Sequence, residues 1–405
     1  QAISRETNCI KNSMEEVLNN NNNNNNNNKI DSQSSFEMLI VCPEERDWIS
    51  RSSRERMGGG AESLRFTATD WLRVLETCCP KTKKLLVVLK SGGDELLYST
   101  LGGALRSAQL EFPGVEMVIM NVQSSSSSSQ DQDQDQDQDH KDENQDEVCC
   151  AVLNELQVWD GELEVSYRDG VRFVKRYEEI SLEPEPEPEP EPSSTTTNTI
   201  NTITRRSPVC GCVDGGTFII TGGLGGLGLL TAKVLSRLGA CRLVLVSRSG
   251  KVSYSDQGLE KELEWLESSS GSEIHKVKCD VSEEASVVRM LESVRELGGG
   301  IRGIVHAAGV IRDSLIRGGG ASSGCESVWG SKADSAWFLH QHSLKDDLKS
   351  FVVFSSITSA IGNIGQSAYG AANSYLDGLV EHRKSLGLCG LSIRWPAISG
   401  VGMAV

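Results

Sequence analysis

Along the last half of this chain, short apolar runs alternate with segments long enough to be helices. The runs fall at residues 217–220, 243–246, 275–279, 303–306, 351–354 and 391–394. Apolar stretches of strand length with little polar alternation suit strands covered on both faces. Their regular spacing by helical segments predicts a doubly wound parallel sheet. The first half has a similar rhythm. Residues 36–41 and 85–89 read as strands, 100–111 as a helix followed by Pro113, and 115–122 as a strand. Residues 164–177 predict a hairpin that turns at Asp169-Gly170, because a two-residue reversal matched to strand twist needs left-handed backbone.

Three stretches break this pattern. Residues 19–28 are all asparagine, residues 124–139 run from a serine block into an Asp-Gln alternation, and residues 183–192 repeat Glu-Pro. None can bury enough apolar surface to offset its ordering entropy, so all three are expected to be disordered. They divide the chain into a linker (1–35), a first globular region (36–182) carrying an insert at 123–147, a second linker (183–208), and a second globular region (209–405). The Glu-Pro repeat excludes a helix and makes an extended spacer.

Composition changes the picture chiefly through where the charge lies. The formal net charge is −16, but residues 131–147 hold nine acids against one lysine and residues 178–191 hold seven acids and no base. What remains is close to neutral, with no basic face for a nucleic-acid backbone. The twelve cysteines include the adjacent pairs Cys78-Cys79 and Cys149-Cys150 and the Cys210-Gly-Cys212 triplet, none with zinc-ribbon spacing. No metal site is expected. No apolar run approaches the about 20 residues of a membrane span, and nothing reads as a secretory signal, so a cytoplasmic protein with reduced thiols is expected. The chain opens at Gln1 and closes at Val405, and it reads as a piece of something longer.

The sequence Thr221-Gly-Gly-Leu-Gly-Gly-Leu-Gly228 follows the first strand of the second region and opens a helical stretch. In that strand–turn–helix context, glycines let the backbone approach a pyrophosphate, and the free amides at the helix start favour its charge. The next strand ends in Ser247-Arg248 rather than in an acid that would bind a ribose hydroxyl. An arginine there suits a 2′-phosphate through paired hydrogen bonds, so the expected cofactor is NADPH. For chemistry, a ketone reduction needs a proton donor at the developing alkoxide and hydrogen bonds to the carbonyl. Tyr369 is the natural acid, with a pKa of about 10 that a nearby ammonium would lower. Asn373 lies one helical turn later on the same face, Ser356 ends a strand thirteen residues before Tyr369, and Lys332 lies on a predicted helix. His306, at a strand end, is assigned no chemistry.

Together these motifs resemble one branch of the short-chain dehydrogenase/reductase superfamily: the ketoreductase domains of type I polyketide synthases and animal-type fatty acid synthases. Most of the superfamily's reductases carry a lysine four residues after the tyrosine. Here that position is Asn373, and Lys332 stands where this branch has its displaced lysine. The resemblance implies a Rossmann-type catalytic half preceded by a truncated Rossmann-like structural half that binds no cofactor, an α/β architecture throughout. It implies cofactor contacts from Thr221, Gly222, Gly223, Leu224, Gly226, Leu227, Gly228, Ser247, Arg248, Asp280, Val281, Ala307, Ala308 and Gly309, with Lys332 and Tyr369 completing the site. It also implies a β-ketoacyl substrate, tethered through phosphopantetheine to an acyl carrier protein, with further synthase domains in cis. Asp313, in Ile311-Arg312-Asp313, matches the diagnostic second aspartate of the family's Leu-Asp-Asp signature. The tryptophan of the opposite class is absent at Ile361, eight residues before Tyr369. A B-type, D-hydroxy product is therefore expected, with Gln366 and Met403 also assigned to the substrate side.

Departures are visible too. The family's Asn-Trp-Gly-Pro-Trp element reads Arg394-Trp-Pro-Ala-Ile398, the stretch 318–324 is expected to loosen its region, and Gly400-Val-Gly-Met-Ala404 matches only the start of the substrate lid. Two other readings stay open: a free-standing reductase of a small ketone or alcohol, and a silent module that keeps the fold as a scaffold.

Overall fold

The computed structural model describes residues 36–41, 61–91, 95–123, 139–178, 216–253 and 257–403. The asparagine run, the Asp-Gln alternation up to residue 138 and the Glu-Pro linker lie outside the described residues. The described residues form two sheets. The first has the order β1-β2-β3-β4-β5, from β1 (Phe36–Val41), β2 (Thr82–Ser91), β3 (Glu116–Gln123), β4 (Glu164–Arg168) and β5 (Val171–Val174). Its pairs are parallel up to β4, and β5 returns antiparallel as the hairpin partner of β4. Asp169 and Gly170 hold φ of 50° and 75°, the two left-handed positions the predicted hairpin required.

The second sheet has the order β11-β10-β9-β6-β7-β8 and all its pairs are parallel. Its strands are β6 (Thr217–Thr221), β7 (Arg242–Ser247), β8 (Glu273–Lys278), β9 (Ile301–His306), β10 (Ser350–Ser356) and β11 (Leu391–Trp395). The order reverses between β6 and β9, the switch point where such sheets open a crevice at the strands' carboxyl ends.

Ten α-helices are described: α1 (Ala61–Cys78), α2 (Glu95–Glu111), α3 (Asp139–Val158), α4 (Gly226–Arg237), α5 (Leu259–Ser269), α6 (Glu284–Glu296), α7 (Ala321–Trp329), α8 (Ser335–His342), α9 (Thr358–Ile361) and α10 (Ser367–Ser385). Helix α3 corrects the expected insert at 123–147: Gln123 ends β3, and residues 139–147 are the first half of a helix. The acids that argued for a solvated tail here cluster at a helix N-terminus, where negative charge is favourable. Farther along, Ala151 and Glu155 recur at helical spacing and are buried. Glu155 is closed off by Tyr167 Oη (3.1 Å) and by Arg172 Nε and Nη2 (2.8 and 2.9 Å), which clasps α3 to the hairpin. The stretch 318–324 is likewise tighter than expected. Its second half is the first turn of α7, where Glu76 of α1 accepts from both the amide and the hydroxyl of Ser322 (2.9 and 3.0 Å), satisfying a helix-start donor.

One apolar cluster runs through both sheets' helices, from Leu72, Leu75, Leu101 and Leu105 to Trp329, Tyr375 and Leu379. The closest joint is α2 on α10. A Cβ at Gly370 would lie 2.7 Å from Gly103 O, and one at Gly103 would run into Gly370 O and Ser374 Oγ, so the backbones cross where only glycine fits. At that crossing Arg106 of α2 is buried. It donates to Ser374 Oγ at 3.2 Å and bonds Glu164 and the carbonyl of Ser359.

Candidate active site

A groove of 1360 Å³ opens at the carboxyl ends of β6, β7 and β9. Gly222, Gly226, Leu227, Gly228, Ser247, Arg248, Asp280, Val281, Ala307, Ala308 and Gly309 line it, as the sequence predicts. Thr221, Gly223 and Leu224 do not line it but stand behind it. Thr221 Oγ1 lies 2.7 Å from His306 Nδ1 and ties β6 to β9. Gly223 N bonds Ile220 O and Val246 O at 3.2 and 3.1 Å, and the Leu224 side chain is fully buried. Sequence reading also missed Gly225, Ser249, Ser282 and Glu326 among the lining residues. Gly225 lies within the quoted glycine loop; no motif marks Ser249, Ser282 or Glu326, which reach the groove through tertiary packing.

The glycine loop fits a pyrophosphate because it is packed to the limit of backbone contact. A Cβ at Gly222, whose φ is +67°, would lie 2.9 Å from Ala307 O, and one at Gly228 would run into Gly222 O. The loop holds its shape only without side chains, which leaves the first-turn amides of α4 facing the groove. Gly228→Ala is therefore expected to raise the dissociation constant for a nicotinamide dinucleotide by at least about tenfold. A fluorescence titration of the reduced dinucleotide checks this. Beside the loop, Arg248 is exposed and makes no ion pair or hydrogen bond among the described residues. The Asp280 carboxylate accepts from Ser282 N and Oγ at 3.0 and 2.6 Å, which fixes its loop at the groove wall. Met403 lines the same groove beside Gly402, and Gln257 brackets Gly402 by accepting from its amide (2.7 Å) and donating to its carbonyl (3.1 Å). Met403 thus sits over the glycine loop, away from the hydrogen-bond chain described next.

Lys332 and Tyr369 do not line the groove either; beside Gly309 in its wall the four expected chemical residues are each buried: Tyr369 is 8% exposed, Ser356 9%, Lys332 4% and Asn373 0%. Lys332 lies in a π-helical turn, Gly330–Asp334, between α7 and α8. The extra residue in such a turn shifts the helical register by about 100°, and such turns recur at functional sites. The Lys332 stem runs under Gly309, where a Cβ would stand 2.8 Å from Lys332 Cε. Its Nζ donates 2.9 Å to Phe354 O and lies 5.4 Å from the centre of the Tyr369 ring. Burial pulls the ammonium's pKa down to about 8, against an opposing pull from Asp377.

Burial pushes the Tyr369 phenol above its ordinary value. Hydrogen bonding with Asn373 and Ser356 opposes that, and Asp313 adds to it. The phenol is thus in its proton-bearing form near neutrality. Asn373 Nδ2 donates 2.8 Å to Tyr369 O, while its Oδ1 is buried with no protein donor among the described residues, leaving an acceptor beside the phenol. His306 is fully buried. Nδ1 meets Thr221, Nε2 lies 3.0 Å from Lys332 O and 3.0 Å from Ser335 Oγ, and burial next to Lys332 pushes its pKa down to about 3. It is a neutral packing residue that fixes the Lys332 turn.

From Ser356 a chain of hydrogen bonds leads outward: Ser356 Oγ to Thr358 Oγ1 (3.2 Å), Thr358 Oγ1 to Gln366 Oε1 (3.1 Å), and Gln366 Nε2 to both oxygens of Asp313 (3.1 and 3.0 Å). Below it, Asp377 accepts from Ser359 Oγ (2.7 Å) and Arg394 Nε (2.8 Å), tying α10 to α9 and β11. The sequence gives Asp377 no motif to stand out by. Among the described residues no group of three or more His, Cys, Asp or Glu could hold a metal ion, and no helix is long and apolar enough to cross a membrane.

A parallel sheet with a glycine-loop groove at its switch point, and a buried Tyr-Ser-Lys cluster whose lysine packs against the groove wall at Gly309, form a Rossmann-type dehydrogenase/reductase fold. Residues 216–400 match the family model described as the KR domain. The chain is 39% identical over 180 residues to a phenolphthiocerol synthesis polyketide synthase type I of Mycobacterium marinum, a match covering 44% of this chain and 8% of that protein. It is 38% identical over 190 residues to a phenolphthiocerol/phthiocerol polyketide synthase of Mycobacterium tuberculosis, covering 47% and 10%. The chain thus spans about a tenth of the length of these relatives. Among solved structures, it resembles the ketoreductase of the first module of phoslactomycin biosynthesis in a Streptomyces species, with a TM-score of 0.62, 25% identity, and coverage of 91% of this chain and 72% of that one. A ketoreductase domain from the bacillaene assembly line shares the fold at a TM-score of 0.67 and 23% identity, covering 94% and 84%.

Proposed function

We propose that the chain catalyses the NADPH-dependent reduction of a β-ketoacyl thioester, carried on the phosphopantetheine arm of an acyl carrier protein, to the β-hydroxyacyl thioester. It does so as one domain of a cytoplasmic polyketide synthase whose other domains lie in cis. The observation that carries this reading is the burial of Ser356, Tyr369 and Lys332, with the Lys332 stem packed against Gly309 in the wall of a large groove lined by the glycine loop. A bound reduced nicotinamide supplies the hydride to the β-carbon. Ser356 donates to the carbonyl oxygen and holds it, and Tyr369 passes its phenolic proton to that oxygen as the alkoxide develops. The Lys332 ammonium, 5.4 Å from the ring centre, stabilises the phenolate left behind. Asn373 offers its free Oδ1 to the lysine or to a water that reprotonates the tyrosine. This organisation also supports a division into a structural part (36–182) and a catalytic part (209–405), one with the catalytic groove and one without.

Arg248, exposed at the groove beside the glycine loop, favours a cofactor bearing a 2′-phosphate. Arg248→Ala is expected to raise the KM for NADPH by one to two orders of magnitude, roughly the worth of a charge-assisted hydrogen bond, with KM for NADH little changed. Asp313 and Gln366, joined by hydrogen bonds, favour the D-hydroxy product. The test is NADPH oxidation with a β-ketoacyl N-acetylcysteamine thioester, followed by chiral analysis of the product. Binding of NADPH with no turnover of any such thioester would leave the fold as a scaffold and overturn the reading.

A further inference from the structure

Helix α2 belongs to the first sheet's half, yet its last turn reaches the two loops that carry Asp313 and Gln366. Glu111, its final residue, is 5% exposed. One oxygen, Oε2, accepts from Ile316 N at 2.7 Å, and the other, Oε1, accepts from Gly365 N at 3.1 Å. Ile316 follows Asp313 by three positions, and Gly365 immediately precedes Gln366. One turn earlier on the same helix, Ser107 Oγ accepts from Asn363 N at 3.1 Å, in the same loop as Gly365. The two loops also touch directly, Ser314 N donating to Gly365 O at 2.8 Å.

We infer that Glu111 is a positioning residue for the substrate entrance: its carboxylate, shared between amides of two loops, sets their separation and thereby the Asp313–Gln366 contact. The chemistry of the side chain fits this role. Two acceptor oxygens fixed to one carbon give a short, rigid span between two donors, and bonds to a carboxylate are stronger than neutral ones. An amide in its place would turn an N–H group toward one backbone N–H, and those two donors repel. From Gln366 the geometry passes through Thr358 to Ser356, so the span of one carboxylate in the non-catalytic half reaches the group that holds the substrate carbonyl. Glu111 touches none of the groove-lining residues through the bonds that define it, so cofactor binding lies outside its influence. This inference rests on the ketoreductase reading above.

The test compares the wild-type chain, Glu111→Gln, Glu111→Asp, Gln366→Ala and the Glu111→Gln/Gln366→Ala double variant. Glu111→Asp keeps the charge and the fold's buried acceptor but is one methylene short, so it too cannot span both loops. In both Glu111 variants, amide hydrogen exchange at Ile316 and Gly365 is expected to rise by about tenfold or more. The dissociation constant for NADPH is expected to stay within about twofold. The KM for the β-ketoacyl thioester is expected to rise about tenfold with kcat largely kept, and the ratio of D- to L-hydroxy product to fall. In the Gln366→Ala background, Glu111→Gln is expected to add little, because both act on one contact. Unchanged amide exchange, a wild-type KM and product ratio in the folded variants, or fully additive effects in the double variant would each overturn the inference while the ketoreductase reading stands. A wild type that reduces no thioester removes that reading, and this role with it.

Discussion

Replacing Tyr369 by phenylalanine is expected to lower kcat for thioester reduction by about a thousandfold, with NADPH binding retained. The size follows from the loss of a positioned general acid, worth about 10² to 10⁴ in rate, at a site where no neighbouring group is placed to take its role. Ser356 can hold the oxygen but is not paired with a base, and its hydroxyl is engaged with Thr358. The fold is expected to survive, because the ring keeps its buried contacts and only the phenolic oxygen is removed. Stopped-flow measurement of NADPH oxidation, with a parallel NADPH titration, separates the two effects. A variant within about tenfold of the wild-type rate would assign proton donation to another group.

The second large effect joins activity to stability with opposite signs. Lys332→Met is expected to lower kcat by about two orders of magnitude and to raise the melting temperature by several degrees. The ammonium is buried, and its pKa of about 8, against 10.5 in the unfolded chain, means that the folded state binds this proton less tightly. Below pH 8 the lysine is charged in both states, and the folded state bears a cost of about 3 kcal/mol. Losing the Nζ bond to Phe354 O returns about 1 kcal/mol, which leaves a net gain of about 2 kcal/mol for methionine. The wild type's disadvantage shrinks as pH rises from about 8 toward 10.5, because over that range the unfolded chain still holds the proton that the folded chain has given up. The two melting curves should therefore converge with pH. Reduction by the wild type falls through the same pH 8 region, as the ammonium that stabilises the Tyr369 phenolate is lost. Melting temperatures that stay parallel across this range would mean that Lys332 is not held charged at a cost.

Lys332 also shows what a sequence can carry. Its expected pairing with Tyr369 came from the resemblance to the ketoreductase branch, whose displaced lysine it matches, and from the need of a reductase for an ammonium near its phenol. Its π-helical turn and its bond to Phe354 O could not be read, since both depend on how α7 and α8 stack beneath Gly309. The glycine loop behaved in the same way. The expectation of a phosphate-binding role came from strand–turn–helix context, whereas the withdrawal of Thr221, Gly223 and Leu224 behind the groove follows from pairing with β7 and β9.

What the sequence determined by itself was local and periodic. The six parallel strands of the second sheet, the hairpin at Asp169-Gly170 and the residue types of the active site all follow from short-range pattern and from the few side chains that suit each chemistry. The structure decided whatever needed contacts between distant segments. Charge alone made residues 139–147 look like solvated tail, but they became helical because Ala151 and Glu155 farther along pack on the first sheet and its hairpin. Asp377 carried no motif, and its role appeared only when α10, α9 and β11 met around it. Glu111 looked like the polar end of an ordinary helix. It became a bridge between two loops more than two hundred residues away because the Gly103–Gly370 crossing brings α2 against α10, and no local pattern records a contact between segments so far apart in sequence.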